Sequence, residues 1–240
     1  MPEGQRNYSG KTDDDNRPSI CRFMGVDLFL GPDVLLPRRE TELLGYRAVD
    51  ILGSMQHSPL VVDMCCGSGN LAAGIAHHCP TARIWAADLT DSTVALAQKN
   101  IQHHAMADRV LVRQGDLFEA IAADDLAGKL DMVVCNPPYI SSSRLANESA
   151  HLLKNEPHEA FDGGPYGISI LQRLVREAVD YLKPDGWLLF ELGAGQERLV
   201  TSLLARTKSY DPPSFEGTGT TSQTAVTRRN GVATTSGADV

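Results

Sequence analysis

The segment Leu60-Val61-Val62-Asp63-Met64-Cys65-Cys66-Gly67-Ser68-Gly69-Asn70 decides the fold of this 240-residue chain. Its short apolar run predicts a buried strand over residues 60–64. The Gly-x-Gly turn at Gly67 and Gly69 follows, and glycine lets a backbone turn tightly and approach a ligand closely. A helix predicted over residues 71–78 would then open with free N–H groups at that turn. The segment therefore predicts the first strand–turn–helix unit of an α/β domain that binds a ligand.

The same alternation continues along the chain. Further strands are predicted over 83–88, 110–114, 130–135 and 187–192, with helices over 92–104, 166–182 and 196–207. Strands alternating with helices of these lengths indicate a doubly wound, mostly parallel sheet with helices on both faces. A turn over 183–186 is predicted to close the helix 166–182 before the strand 187–192, and residues 224–228 are predicted to add a last antiparallel edge strand. We divide the chain into a disordered leader (1–18), a β-hairpin with a helix capped by Thr41 (19–58), a catalytic domain (59–228) and a disordered tail (229–240).

Composition excludes several classes of protein. The content of 42% hydrophobic and 22% charged residues is typical of a globular protein. No apolar run is long enough for a signal peptide or a membrane span. The number of cysteines is five, which is odd, and Cys65 and Cys66 are adjacent, so a disulfide framework is not predicted. A reducing, cytoplasmic location is therefore expected. No cysteine or histidine spacing fits zinc, and no metal is predicted. A net charge of -8 argues against nucleic acid as the partner.

Acidic side chains follow the predicted strands where such sheets bind ligands. Asp63 precedes the glycine turn, and Asp88 ends the second strand, where a carboxylate meets ribose hydroxyls. Asp116 follows the third strand and is predicted to accept from an adenine amino group, with Leu117 packed on the ring. These positions predict a bound adenine nucleoside.

The sequence Asn136-Pro137-Pro138-Tyr139 ends the fourth predicted strand. Consecutive prolines stiffen the backbone and leave its carbonyls without local donors. The Asn136 side-chain oxygen and the Pro137 carbonyl can each accept one hydrogen of the same NH2 group, while Tyr139 lies against its flat face. This corner predicts a site that holds a planar NH2 group while its nitrogen is alkylated, with Asn136, Pro137 and Tyr139 as catalytic residues.

Taken together, these motifs resemble the protein-(glutamine-N5) methyltransferases of the HemK/PrmC type. The resemblance extends from about Phe23 to Ala205 and also includes the stretches 36–42, 156–160, 163–167 and 190–196. It implies the class I methyltransferase fold with a seven-stranded Rossmann-like sheet, S-adenosyl-L-methionine as cofactor, and a glutamine side-chain amide as methyl acceptor. It also implies that Glu40, Thr41 and Glu42 border the cofactor pocket. By the same resemblance, the cofactor is contacted by Cys65, Cys66, Gly67, Ser68, Gly69, Asp88, Leu117 and Asn136, and the acceptor is held by Asn136, Pro137, Pro138 and Tyr139.

Several acceptors and one other chemistry stay open at this point. Bacterial members of the family carry a helical docking domain where this chain has a short polar leader, so the expected partner is a protein such as a release factor or a small-molecule acceptor. Base N-methyltransferases use a similar Asn/Asp-Pro-Pro-aromatic turn on an exocyclic amine. A non-catalytic, cofactor-binding subunit is a further alternative. A nicotinamide oxidoreductase is the last, because Gly67-x-Gly69-x-x-Ala72 also fits the dinucleotide fingerprint.

Overall fold

In the computed structural model of the protein, residues 19–32, 34–140, 163–164, 167–217 and 222–231 are described. The leader 1–18, the stretch 156–160, residues 165–166 and the tail beyond 231 lie outside them, so the predictions made there have no structural counterpart. Among the described residues, every helix is too short or too polar to cross a bilayer.

Seven strands form one mixed sheet in the order β5-β4-β3-β6-β7-β9-β8. The first five of these strands in that order run parallel, and β9 and β8 are antiparallel to their neighbours. This arrangement confirms the predicted fold class. The strands are β3 (Leu60–Met64), β4 (Arg83–Asp88), β5 (Val110–Gln114), β6 (Leu130–Cys135), β7 (Leu182–Gly193), β8 (Ser214–Glu216) and β9 (Ser222–Arg228).

The strand order places the glycine turn beside the proline corner. From β3 the chain winds outward through β4 and β5, then returns to place β6 against the other edge of β3. In open α/β sheets, such a reversal leaves a crevice at the carboxyl ends of the two central strands. The turn that follows β3 and the Asn-Pro-Pro-Tyr corner that follows β6 therefore face the same crevice.

In the part of the chain that the structure describes, five helices and one 3-10 helix cover the sheet: α1 (Thr41–Gly53), α2 (Asn70–His78), α3 (Asp91–His103), the 3-10 helix Leu117–Asp124, α4 (Ser169–Tyr181) and α5 (Glu197–Thr207). Most begin and end within a residue or two of the predicted bounds. The helix predicted to begin at residue 166 instead begins at Ser169. Gly167 adopts a φ of 68°, which lies outside the helical range.

Two predictions at the antiparallel side of the sheet were wrong. Residues 183–186 were predicted as a turn before β7, but they lie within the strand as a bulge, because the pairing moves from Leu130 with Leu182 to Met132 with Trp187. Asp185, at a φ of 67°, absorbs the extra backbone. The last strand was predicted at the edge, yet β9 is an inner strand. The short strand β8, which the sequence pattern did not indicate, covers its outer side.

The predicted hairpin is present as β1 (Ile20–Phe23) and β2 (Val26–Phe29) and is anchored by Met24 at its turn. The Met24 side chain is fully buried between α1 and α2. Gly45 and Gly74 make room for it: a Cβ at Gly74 would lie 2.6 Å from Met24 Sδ, and one at Gly45 would overlap the same sulfur. The Met24 N–H also donates to Glu42 Oε1 at 2.8 Å.

Met24→Ala is expected to lower the free energy of unfolding by about 3 kcal/mol, because it leaves a cavity between two helices that already lack side chains there. Ile20→Ala, on the same hairpin but 54% exposed, should change it by less than about 0.5 kcal/mol. Urea unfolding of both variants measures the difference. Equal losses would show that Met24 does not anchor the hairpin.

Candidate active site

A cavity of about 640 Å³ opens at the carboxyl ends of β3, β4, β5 and β6. Its size is within the range of sites for drug-sized ligands and cofactors. The main lining segments are residues 35–38, 64–67, 87–90 and 115–117, together with Asn136 and Pro138. The structure thus brings the glycine turn, two of the predicted acidic residues and the proline corner to one space.

The glycine turn presents only part of its length to the cavity. Cys65, Cys66 and Gly67 line it, with Cys65 at a φ of 58° and Gly67 at 55°. Gly69 instead faces α3, where a Cβ would lie 3.2 Å from that of Ala97. Ser68 is buried, and its Oγ has no hydrogen-bond partner among the described residues. The turn therefore exposes its first half to a ligand and uses its second half to pack α2 against α3.

Asp88 is held in place by the turn itself. Its Oδ2 accepts from Gly67 N at 2.7 Å, and its Oδ1 accepts from Leu89 N and Thr93 Oγ1, both at 2.8 Å. A carboxylate has about four acceptor sites, so these three bonds leave capacity for a ligand hydroxyl on Oδ2. The side chain is thus pre-oriented at the cavity wall.

Asp116 and Leu117 also line the cavity, as their predicted roles require. Arg173 of α4, 57 residues further along the chain, donates from Nη1 to both Asp116 oxygens at 2.9 and 3.0 Å. This partner was not foreseen. It holds the Asp116 carboxylate at the rim and leaves part of its acceptor capacity unused.

Asp63 is placed behind the turn, fully buried, and is not among the residues that line the cavity. Its Oδ2 accepts from Ala72 N at 2.9 Å in the first turn of α2, while its Oδ1 has no partner among the described residues. Burial raises the pKa of this carboxyl to about 8, with the nearby Asp88 adding to the effect. The geometry gives Asp63 a supporting contact to α2, one layer removed from the cavity.

Asp63 should make the protein less stable as the pH rises. Its pKa is raised on folding, so the folded state disfavours the ionised form, and stability is lost between the ordinary value of 3.8 and about 8. We expect Asp63→Asn to lose this dependence, so that the wild type falls relative to it by roughly 3 kcal/mol between pH 6 and pH 9. Urea unfolding at both pH values measures this. Parallel pH profiles for the two proteins would contradict the assignment.

A buried hydrogen-bonded chain holds the proline corner. Asn136 Nδ2 donates to Thr41 Oγ1 at 3.2 Å, and Thr41 Oγ1 donates to Glu191 Oε2 at 2.7 Å. The Tyr139 hydroxyl donates to the other oxygen, Glu191 Oε1, at 2.9 Å. Thr41 and Glu191 are both buried. These hydrogen bonds join the first turn of α1 to β7 through the residues that follow β6.

Thr41 was predicted to cap α1, and that prediction was wrong. The cap position is occupied by Glu40, whose φ and ψ are helical and whose side chain makes no capping bond. Thr41 is the first helical residue, and its hydroxyl is turned inward to Glu191. Glu40 is exposed and Glu42 bonds to Met24 N, so of these three residues Thr41 is the one joined to the proline corner.

The corner places its residues unequally around the cavity. Asn136 and Pro138 are among the described lining residues, whereas Pro137, which is buried, and Tyr139 are not. Tyr139 is fixed by two bonds, because its carbonyl also accepts from Gln196 Nε2 at 3.0 Å. Burial and the neighbouring Glu191 carboxylate raise the pKa of its hydroxyl, so it remains protonated. The proposed contacts of these four residues with an acceptor stay predictions.

Comparison with known proteins shows which proteins this chain is similar to. Residues 49–164 match a family model described as the methyltransferase small domain. The chain is 35% identical over 189 residues to the release factor glutamine methyltransferase of Geobacter sulfurreducens, covering 79% of this chain and 63% of that protein. It is 36% identical over 137 residues to the ribosomal protein uL3 glutamine methyltransferase of Bradyrhizobium diazoefficiens, covering 57% and 41%.

Solved structures support the fold alone. The N-terminal domain of human METTL16, solved in complex with SAH, superposes with a TM-score of 0.62 at 14% identity, covering 86% of this chain and 76% of that one. The chain spans 63% of the length of the Geobacter relative, less than two thirds. The similarity to this relative nevertheless covers 79% of this chain. The resemblance is therefore confirmed as a similarity: over 79% of its length the chain is similar to a curated release factor glutamine methyltransferase.

Proposed function

We propose that the protein is an S-adenosyl-L-methionine-dependent N-methyltransferase that methylates a planar NH2 nitrogen, namely the side-chain amide of a glutamine in a protein such as a release factor. One observation carries the proposal. The Asn136 NH2 group is bonded to Thr41, so its Oδ1 is left as an acceptor at a cavity lined by the glycine turn and Asp88. Relatives named as release factor and ribosomal protein uL3 glutamine methyltransferases support this choice of acceptor.

The residues around the cavity fit the cofactor. Asp88 offers a fixed carboxylate to ribose hydroxyls, and Asp116 with Leu117 lies where an adenine ring would be held. Cys65, Cys66 and Gly67 would contact the methionine portion, with Ser68, Gly69 and Asp63 supporting the turn from behind. When bound, the cofactor supplies a methyl group on a positively charged sulfonium.

The proline corner would hold the acceptor. Asn136 Oδ1 and the Pro137 carbonyl would each accept one hydrogen of the substrate amide, fixing its nitrogen in line with the methyl group. An amide nitrogen is a poor nucleophile because its lone pair is delocalised into the carbonyl. Two acceptors on its hydrogens would stabilise the positive charge that develops there while the methyl–sulfur bond breaks to leave a neutral thioether. The nitrogen would then lose one of these hydrogens as a proton to solvent. Pro138 and Tyr139 would complete the wall, with the Tyr139 ring against the flat face of the amide.

We also propose that residues 19–58 work together with the catalytic domain 59–228. The Thr41–Asn136 bond and the lining residues 35–38 support this, because the earlier segment contributes directly to the cavity. A small metabolite or an exocyclic base amine remains the alternative acceptor. The acidic composition, with a net charge of -8, disfavours the base.

The proposal is tested by incubating the purified chain with methyl-labelled S-adenosyl-L-methionine and, in separate reactions, a release factor, ribosomal protein uL3 and a small-molecule extract. Label on a glutamine amide, located by mass spectrometry of peptides, is the expected result. Label confined to small molecules would replace the protein acceptor. Calorimetry that detects binding of NAD but not of S-adenosyl-L-methionine would overturn the proposal altogether.

A further inference from the structure

We propose that Thr41 and Glu191 are positioning residues that set the direction of the hydrogen bonds at the proline corner, so that Asn136 presents an acceptor to the substrate amide. The inference rests on the proposed function, and it assigns a role to two buried residues that do not line the cavity. Their contacts are those of the chain from Asn136 through Thr41 to Glu191, with Tyr139 on the second Glu191 oxygen.

The direction follows from counting donors and acceptors. An ionised Glu191 can only accept, so the single Thr41 hydroxyl hydrogen is used on Oε2. Thr41 Oγ1 is then an acceptor toward Asn136, and only the NH2 side of the Asn136 amide can bond to it. The amide is thereby prevented from rotating by 180°, and Oδ1 is kept for the substrate.

The same carboxylate fixes Tyr139. The single hydroxyl hydrogen of Tyr139 is donated to Glu191 Oε1, which holds the ring at one end of the corner. Ser222 on β9 lies near both side chains and partly offsets the rise in the pKa of Glu191 and of Tyr139. Glu191 accepts from α1 and from the corner at once, so a change in its donor–acceptor character reaches both ends of the corner.

Protonation of Glu191 would change the direction of these hydrogen bonds. Burial raises the pKa of Glu191, and the charge of Glu40 adds to the rise, while the neighbouring hydroxyls of Thr41, Tyr139 and Ser222 oppose it. The charge of Arg38 partly offsets the rise in the pKa of the Tyr139 hydroxyl. A protonated Glu191 becomes a donor, which frees the Thr41 hydrogen for Asn136 Oδ1 and favours the rotated amide. We therefore expect turnover to fall as the pH falls through the pKa of Glu191.

Glu191→Gln separates this role from a purely structural one. Glutamine has the same shape, and its hydroxyl neighbours can reverse their bonds, so the fold should be retained. Its NH2 group, however, donates where the carboxylate accepted. We expect kcat to fall by about 100-fold with the KM for S-adenosyl-L-methionine changed by less than about threefold. The acid limb of the wild-type pH profile should disappear. Glu216→Gln, at the sheet edge, is the matched control and should behave as wild type.

Thr41 supplies a second test that does not depend on a charge. Thr41→Val keeps the buried volume and removes the hydroxyl, and kcat should fall by about 30-fold. Thr41→Ser keeps the hydroxyl and should stay within about threefold of wild type. If serine impaired turnover as much as valine, packing would explain the effect and the inference would be overturned.

A spectroscopic measurement separates the two proposals. In wild type, the side-chain NH2 resonances of Asn136 should show slowed hydrogen exchange, and Thr41→Val and Glu191→Gln should each abolish that protection. Unprotected wild-type resonances, or unchanged turnover in both variants of an active enzyme, would overturn the positioning role. Protection in a protein that transfers no methyl group to any acceptor would uphold the hydrogen-bonded chain and overturn the proposed function.

Discussion

Asn136→Ala is expected to abolish methyl transfer while S-adenosyl-L-methionine still binds. The substitution removes the side-chain acceptor for the substrate amide and also the partner of Thr41 Oγ1. Loss of one pre-oriented group at a developing charge costs about 100- to 1000-fold in kcat, and loss of in-line alignment adds to this. We therefore expect a decrease of at least about 1000-fold in the rate of single-turnover methyl transfer.

The measurement needs two controls. Calorimetry with S-adenosyl-L-methionine should show a dissociation constant within about tenfold of wild type, because Asp88 and the glycine turn are untouched. Asn230→Ala is the matched variant, since the Asn230 side chain bonds to Lys208 O, away from the cavity. Transfer by Asn136→Ala within tenfold of the wild-type rate would remove Asn136 from the mechanism.

Asp88→Ala is expected to weaken cofactor binding by about 100- to 1000-fold. The reason is twofold. A hydrogen bond to a charged group contributes about 1.5–3 kcal/mol, and a ribose hydroxyl would lose its acceptor. The turn also loses its anchor, because Asp88 Oδ2 is the acceptor for Gly67 N. Both losses act on the bound complex, and both raise the dissociation constant measured by calorimetry.

A second substitution separates the effect of losing the charge of Asp88 from the effect of losing its side-chain acceptor. Asp88→Asn keeps one acceptor oxygen and the side-chain shape, so a weakening of only about tenfold is expected. Asp108→Ala, whose side chain is 75% exposed and paired with Arg109, is the matched control and should bind as wild type. If Asp88→Ala bound the cofactor as tightly as Asp108→Ala does, the ribose contact would not exist.

The cavity presents two side-chain acceptors, Asp88 and Asn136, and each is oriented by hydrogen bonds to other residues of the protein. Gly67 and Thr93 orient Asp88, while Thr41 and Glu191 orient Asn136. Such bonds reduce the reorganisation that is needed when ligands arrive. The two halves of the proposed reaction therefore depend on buried contacts as much as on the lining side chains.

The sequence alone determined the parallel sheet, the strands over 110–114 and 130–135, the glycine turn and the Asn-Pro-Pro-Tyr corner. These features depend on local properties: runs of apolar residues, the freedom of glycine and the stiffness of proline, which act within a few residues. The family resemblance came from the same stretches. Each of these features could therefore be predicted before any pairing between distant residues was known.

Only the tertiary structure decided which distant side chains meet. Thr41 and Glu191 are 150 residues apart, and they touch because α1 packs against β7. Asp116 finds Arg173 for the same kind of reason, and Asp63 is removed from the cavity because α2 covers it. Such contacts are fixed by strand order and helix packing, which no local pattern encodes. Local sterics therefore determine that the glycine turn and the proline corner form. The packing of distant elements determines how their side chains are oriented.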